Sequence, residues 1–170
     1  MTGHELHAQA RIVEAELSVA EHQRAIVALT AAYAEDPMGN AGPLADDVLA
    51  RLVEGLQRHP TTIVLLAYAG QRPVGIATCF LGFSTFNARP LINIHDLAVL
   101  PDARGTGVGR QLLAAVEAKA RALGCCRITL EVHEGNARAK SIYDRAGFGP
   151  IRYGSPPAPA LFYSKTIELD

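Results

Sequence analysis

The chain has no tryptophan, and aromatic residues fill only 6% of its 170 positions. A platform of stacked rings for single-stranded nucleic acid therefore has little support. An excess of charge is also missing. Sixteen Lys and Arg stand against seventeen Asp and Glu, a formal charge of -1. That argues against a whole-surface electrostatic grip on nucleic acid, while a local basic patch remains open. Cysteine is scarce: Cys79, Cys125 and Cys126 make an odd number, two of them adjacent. Neither a disulfide framework nor a CxxC metal clip follows from that spacing, and small buried thiols in a reducing cytoplasm are expected. No metal-ligand spacing is visible elsewhere, so no metal is expected. The opening MTGHELHAQARIVEAEL has no apolar signal core, and no apolar run reaches spanning length. The expectation is a soluble cytoplasmic protein with no membrane partner.

What is present is 49% hydrophobic and 19% charged residues, enough to bury a core. One domain over 1–170 is expected. Arg11 to Leu17 alternates as a strand. Ser18 with Glu21 three residues later reads as a capping box, opening a helix that ends before Pro37. A second helix runs from about Leu44 to His59-Pro60, with Val48, Leu52 and Leu56 on one face. Thr62 to Ala69 and Val74 to Phe86 read as a hairpin around Gly70, and Leu91 to Leu100 as another strand. Gly107 to Leu123 is helical, with Gly124 at its C′ position. A strand from Cys126 to Val132, a helix from Asn136 to Ala146, and strands at Phe148 to Tyr153 and Leu161 to Leu169 complete the order. That order fits an α/β fold with a single mixed sheet and helices on both faces.

The segment Arg104-Gly105-Thr106-Gly107-Val108-Gly109-Arg110 follows a strand and opens a helix. Closely spaced glycines let a ligand approach the backbone, and the free N–H groups of a helix start face an anion. Phosphate is the usual occupant, with Arg104 and Arg110 adding charge. A dinucleotide fingerprint needs GxGxxG, but Arg110 stands three residues after Gly107; a P-loop needs a following Lys, and none is there. A tight strand-to-helix turn without a ligand is the alternative.

The run VLPDARGTGVG, Val99 to Gly109, resembles motif A of the GNAT N-acetyltransferase superfamily, Arg/Gln-x-x-Gly-x-Gly/Ala, at Arg104, Gly107 and Gly109. LEVHEGNARAKSIYDRAGF, Leu130 to Phe148, is similar to that family's motif B. FLGFSTFNARPLINIHDLAV is similar to the diamine and polyamine acetyltransferase branch, except that His95 stands where that branch has a Glu implicated as base. The resemblance implies a mostly antiparallel sheet whose fourth and fifth strands splay apart. Acetyl-CoA would lie in that splay as co-substrate, its pantetheine along Leu97, Ala98 and Val99. Its pyrophosphate would sit on Arg104, Gly105, Thr106, Gly107, Val108, Gly109 and Arg110. Asn136, Lys140 and Tyr143 join the cofactor residues by the same resemblance, which also favours a homodimer.

The resemblance gives Tyr143 the task of protonating the departing thiolate; core packing is the alternative. Asn136 also reads as a plain N-cap. Glu131, mid-strand among apolar residues, is expected to be buried with a raised pKa suited to deprotonating an ammonium. It matches a Glu assigned as base in the ribosomal-protein acetyltransferase branch, against a strand Glu paired with Arg127. His95 titrates near neutrality and needs little tuning to act as base. Asp96 is expected on the opposite strand face. The acceptor pocket is expected between the first two helices, Phe80, Phe83 and Phe86, and the C-terminal strands, with Glu35 and Asp36 as attractors for a cation. The implied activity is acetyl transfer to a primary amine of a small molecule. A protein N-terminal acetyltransferase, an acyl-CoA-binding module without catalysis and a different nucleotide-binding enzyme are the rivals.

Overall fold

A computed structural model describes residues 10–153 and 158–167. The elements run β1 (Arg11–Glu14), α1 (Ala20–Glu35), α2 (Asp46–Arg58), β2 (Thr62–Ala69), β3 (Arg72–Ser84), β4 (Arg89–Val99), a 3₁₀ turn (Pro101–Ala103), α3 (Val108–Ala122), β5 (Ile128–Leu130), α4 (Ala137–Arg145), β6 (Arg152–Tyr153) and β7 (Ala158–Pro159). They fall into two compact units, one up to Asn136 and one from Ala137 onward.

The first unit holds a five-stranded sheet in the order β1-β2-β3-β4-β5. Neighbours are antiparallel except β4 and β5, which run parallel. The hairpin turn after β2 uses Gly70 at φ +61°, a conformation open to glycine at no steric cost. β2 is buried along most of its length, as its unbroken apolar run requires. Val64, Leu66 and Tyr68 join Ile76 of β3 against Ala25, Ile26 and Leu29 of α1 and Leu56 of α2. α3 covers the other face. A Cβ placed on Gly75 would lie 3.1 Å from Leu112 Cδ1 and from Val108 Cγ1, so only glycine lets this helix sit so close to β3. Helices thus occupy both faces of the sheet, as expected. Each fully buried aliphatic side chain at these contacts contributes about 1.5–3 kcal/mol.

Helix ends agree with the sequence in part. Gly124, at φ +67°, follows α3 as expected, and Cys125 N–H returns to the Ala120 carbonyl at 2.9 Å. The capping box does not form. α1 starts one residue later than Ser18 needs: Val19 is the N-cap, with no side-chain cap bond. The turn into α1 is held instead by His22 Nδ1, which accepts the Glu16 N–H at 3.0 Å. Gln23 and Gln57 also donate to the Leu17 carbonyl, at 2.8 and 2.7 Å.

In the second unit, Phe148 N–H donates to the Tyr143 carbonyl at 3.0 Å behind α4, and β6 pairs with β7 as its own antiparallel ladder. The strand expected at Phe148 to Tyr153 shrinks to Arg152–Tyr153. The one expected from Leu161 is not formed over 161–167, where Leu161, Phe162, Tyr163 and Ile167 are all exposed. Strand-prone residues make a strand only when a ladder partner satisfies their backbone. The last three positions of that expectation lie outside the described residues.

Candidate active site

β4 pairs with β5 only through 92–94, against 128–130. Beyond Ile94 the strand continues to Val99 with β3 on one side and, among the described residues, no strand on the other. This is the expected splay. It leaves one edge of Leu97, Ala98 and Val99 with main-chain donors and acceptors that an extended, amide-bearing ligand can pair with.

That edge leads directly into the glycine loop. Gly105 and Gly107 hold φ +82° and +96°. Gly107 is the N-cap of α3, with no side chain capping the helix. The N–H groups of Val108, Gly109 and Arg110 precede the first intrahelical bond, which runs from Gln111 N–H to the Gly107 carbonyl at 3.0 Å. They form a cluster of unpaired donors at the positive end of a helix, the arrangement that receives phosphate. Thr106 Oγ1 donates to the Ala103 carbonyl at 2.7 Å and fixes the loop's entry. The Arg104 side chain turns elsewhere: Nε donates to the Val99 carbonyl at 2.9 Å, and the guanidinium pairs with Asp36 at 2.5 Å. Asp36 is thus an anchor between the end of α1 and the loop, rather than an exposed cation attractor. A narrow crevice of about 10 Å³ lies beside this tie, between Leu29 and Tyr33 of α1 and Ala98 to Leu100.

His95 occupies a special place in β4. Cys79 pairs with Ile94 and Thr78 with Asp96, so His95 is the extra residue of a β-bulge. It is exposed, with its ring 5.6 Å from that of Phe80; Phe80 in turn lies 4.7 Å from His59. The bulge absorbs one step of the strand's alternation. Asp96 therefore shares the α1 face with Phe80 and His95, and the expectation of opposite faces is corrected. Burial pushes the Asp96 carboxyl above the usual carboxylate range, and the neighbouring His95 charge partly offsets that. Burial, then Asp96 and Asp36, raise the Tyr33 phenol as well. Cys79, on β3 beside this group, is pushed up to about 12 by burial and then by Asp96. Asp96 is the functional candidate that alternation along the strand hides.

Glu131 differs from its expectation. β5 stops at Leu130, and Glu131 is exposed just past the strand end, so burial does not tune it. The strand is short because β4 offers it only three paired positions. Phe83 and Phe86 are also corrected: at 63% and 93% exposure they stand at the far end of the β3–β4 hairpin, and Phe80 alone of the three packs against the core. In the second unit, Tyr143 is buried on α4 with its ring 5.8 Å from Phe148, and Lys140 is exposed on the same helix. Asn136 immediately precedes that helix. Among the described residues no cluster of His, Cys, Asp or Glu could hold a metal ion, and no helix is long and apolar enough to cross a membrane.

Comparison with known proteins bears on this arrangement. The acetyltransferase (GNAT) family matches over residues 17–148. An aminoglycoside N(6')-acetyltransferase type 1 of Stenotrophomonas maltophilia is 31% identical over 129 residues, 74% of this chain and 84% of that protein. An uncharacterized N-acetyltransferase of Bacillus subtilis is 29% identical over 93 residues. That match takes in 55% of this chain and 62% of the Bacillus protein, so the chain spans under two thirds of that relative's length. Among solved structures, AAC(6')-Iy in complex with the bisubstrate analogue CoA-S-monomethyl-acetylneamine superposes with a TM-score of 0.73 at 19% identity. It covers 94% of this chain and all of that one, a likeness of fold. The family match takes in both the glycine loop and the bulged strand before it, and the chain belongs to the GNAT acetyltransferase family.

Proposed function

We propose that the chain is a single-domain N-acetyltransferase that transfers acetyl from acetyl-CoA to a primary amine of a small molecule by direct attack in a ternary complex. One observation carries the reading: an unpaired β4 edge runs into a helix start whose backbone donors are free. These features fit acetyl-CoA, with Leu97 to Val99 for the pantetheine amides and Gly105 to Arg110 for the pyrophosphate. Bound there, acetyl-CoA supplies an activated thioester.

The chain's own groups then have definable work. An amine must lose its proton before it attacks. The exposed imidazole of His95, on the bulge, accepts that proton, and the Asp96 carboxylate on the same face stabilises the imidazolium. Glu131, exposed beyond β5, is the second base candidate. A β4 N–H donates to the oxygen on which negative charge develops. Tyr143 gives its phenolic proton to the leaving sulfur, a role resting on the motif match. A cationic acceptor suits a face carrying Asp96 and agrees with the aminoglycoside acetyltransferase relative.

Incubation with acetyl-CoA and a panel of aminoglycosides, polyamines and N-terminal peptides, read by thiol release, tests this. Release with small amines is expected. Release with peptides alone favours the protein N-terminal acetyltransferase reading, and acetyl-CoA binding with no release on any amine favours a binding module.

A further inference from the structure

A second concavity lies away from the glycine loop, where the first half of α1 meets the β2–β3 turn. It measures about 240 Å³ and is lined by Glu21, Arg24, Tyr68, Gln71 and Pro73. Arg24 stands twelve residues before Asp36, the residue tied to Arg104, which is about 18 Å of helix.

Tyr68 is only 2% exposed, yet its hydroxyl has no hydrogen-bond partner. A buried hydroxyl left unsatisfied is costly, and such groups in a folded protein call for an explanation. Its ring is held from one side by the Arg11 guanidinium, 5.0 Å from the ring centroid. The Glu21 charge acts on the phenol and, after burial, helps to keep it protonated, so the hydroxyl is a donor on the Glu21 side. Glu21 and Arg24 stand three apart on α1 and face the same hollow. They form no ion pair with each other and have none elsewhere among the described residues. Opposite charges at this spacing ordinarily pair across a helix face. Here an anion acceptor, a cation acceptor and an orphaned hydroxyl donor converge on a small hollow, with the Gln71 amide at its rim.

We propose that this hollow is a binding site for a free α-amino acid, separate from the acetyl-transfer site. Arg24 and the Tyr68 hydroxyl take the carboxylate, Glu21 takes the ammonium, and Gln71 faces the side chain. The size of the hollow restricts it to a ligand smaller than the usual occupants of protein pockets. The site does not depend on the transferase reading.

The test uses the full chain and three probes: L-glutamine, glutaramate, which lacks the ammonium, and 4-aminobutanamide, which lacks the carboxylate. Amide chemical shifts are followed on titration. L-glutamine is expected to shift the amides of 21–28 and 68–73 and to saturate near the millimolar range. Each truncated probe is expected to bind there about tenfold more weakly, the scale of one lost charge-assisted bond. Arg24→Gln removes an exposed side chain and should abolish the shifts. Tyr68→Phe keeps the ring, should weaken binding about tenfold and should not lower the melting temperature. No shift at these amides with about 20 mM L-glutamine overturns the proposal. Equal binding by the three probes, or by both variants and the parent, overturns it too.

Discussion

Gly109→Ala separates a loop that binds an anion from a loop that merely turns the chain. Gly109 is the second residue of α3 and does not hold a positive φ. A Cβ there meets Val99 Cγ2 at 3.8 Å, an ordinary contact. The fold loses nothing by the change, and alanine favours helix over glycine by up to about 1 kcal/mol. For a chain of this length the melting temperature should hold or rise by about 2–4 °C. Binding behaves in the opposite sense. The new methyl projects beside the unpaired N–H groups of Val108 to Arg110, where a phosphate would settle. Displacing one charge-assisted hydrogen bond costs about 1.5–3 kcal/mol, or about 10- to 150-fold in Kd. Gly107→Ala is a poorer probe, because φ +96° makes any side chain strained there by about 1–2 kcal/mol whatever the ligand does. Calorimetry with acetyl-CoA and a melting curve on the same sample decide the matter. A folded Gly109→Ala chain that binds acetyl-CoA within about twofold of the parent, well short of one lost charge-assisted bond, refutes the assignment.

Two further outcomes follow from the groups around β4 and α4. Burial favours protonated Asp96, so its ionisation opposes folding at neutral pH; Asp96→Asn should raise the melting temperature at pH 7. That gain should shrink as pH falls through the raised pKa and vanish below about 3.9, where the unfolded carboxyl is protonated too. Turnover should meanwhile fall about tenfold or more, and unchanged turnover removes Asp96 from the proton path. Tyr143→Phe keeps the ring against Phe148 and should cost little stability, whereas turnover at saturating substrate should drop by about 10²–10⁴-fold. A rate within about twofold of the parent, far above that range, makes Tyr143 a packing residue.

Features set by local chemistry are legible in the chain. Gly70 and Gly124 mark ends of elements because their φ values of +61° and +67° suit glycine, and both were assigned from sequence. β2 was read at its observed bounds because eight consecutive strand-prone residues lie between a proline and a glycine turn. Features set by distant partners were not legible. The bulge at His95 exists because β3 offers one fewer residue than β4 over that stretch, and no property of the sequence near 95 announces it. Asp96 consequently passed for a structural residue on the wrong face. Glu131 failed for a related reason: apolar neighbours implied burial, but a strand is only as long as the edge that pairs with it.

Arg104 shows how far a motif can be right about a position and incomplete about the physics. The resemblance places it on the cofactor, and it does stand at the head of the loop. Its guanidinium, however, is committed to Asp36, sixty-eight residues away, and its Nε to the Val99 carbonyl. A planar fork holding a carboxylate and a main-chain oxygen at once orients the loop more firmly than it attracts an anion. The positive potential there comes from the helix start and from Arg110, which is exposed and has no ion-pair partner among the described residues. This division of labour explains how a chain with net charge -1 can offer a phosphate site. The attraction is built from backbone geometry, and the motif's arginine holds that geometry in place.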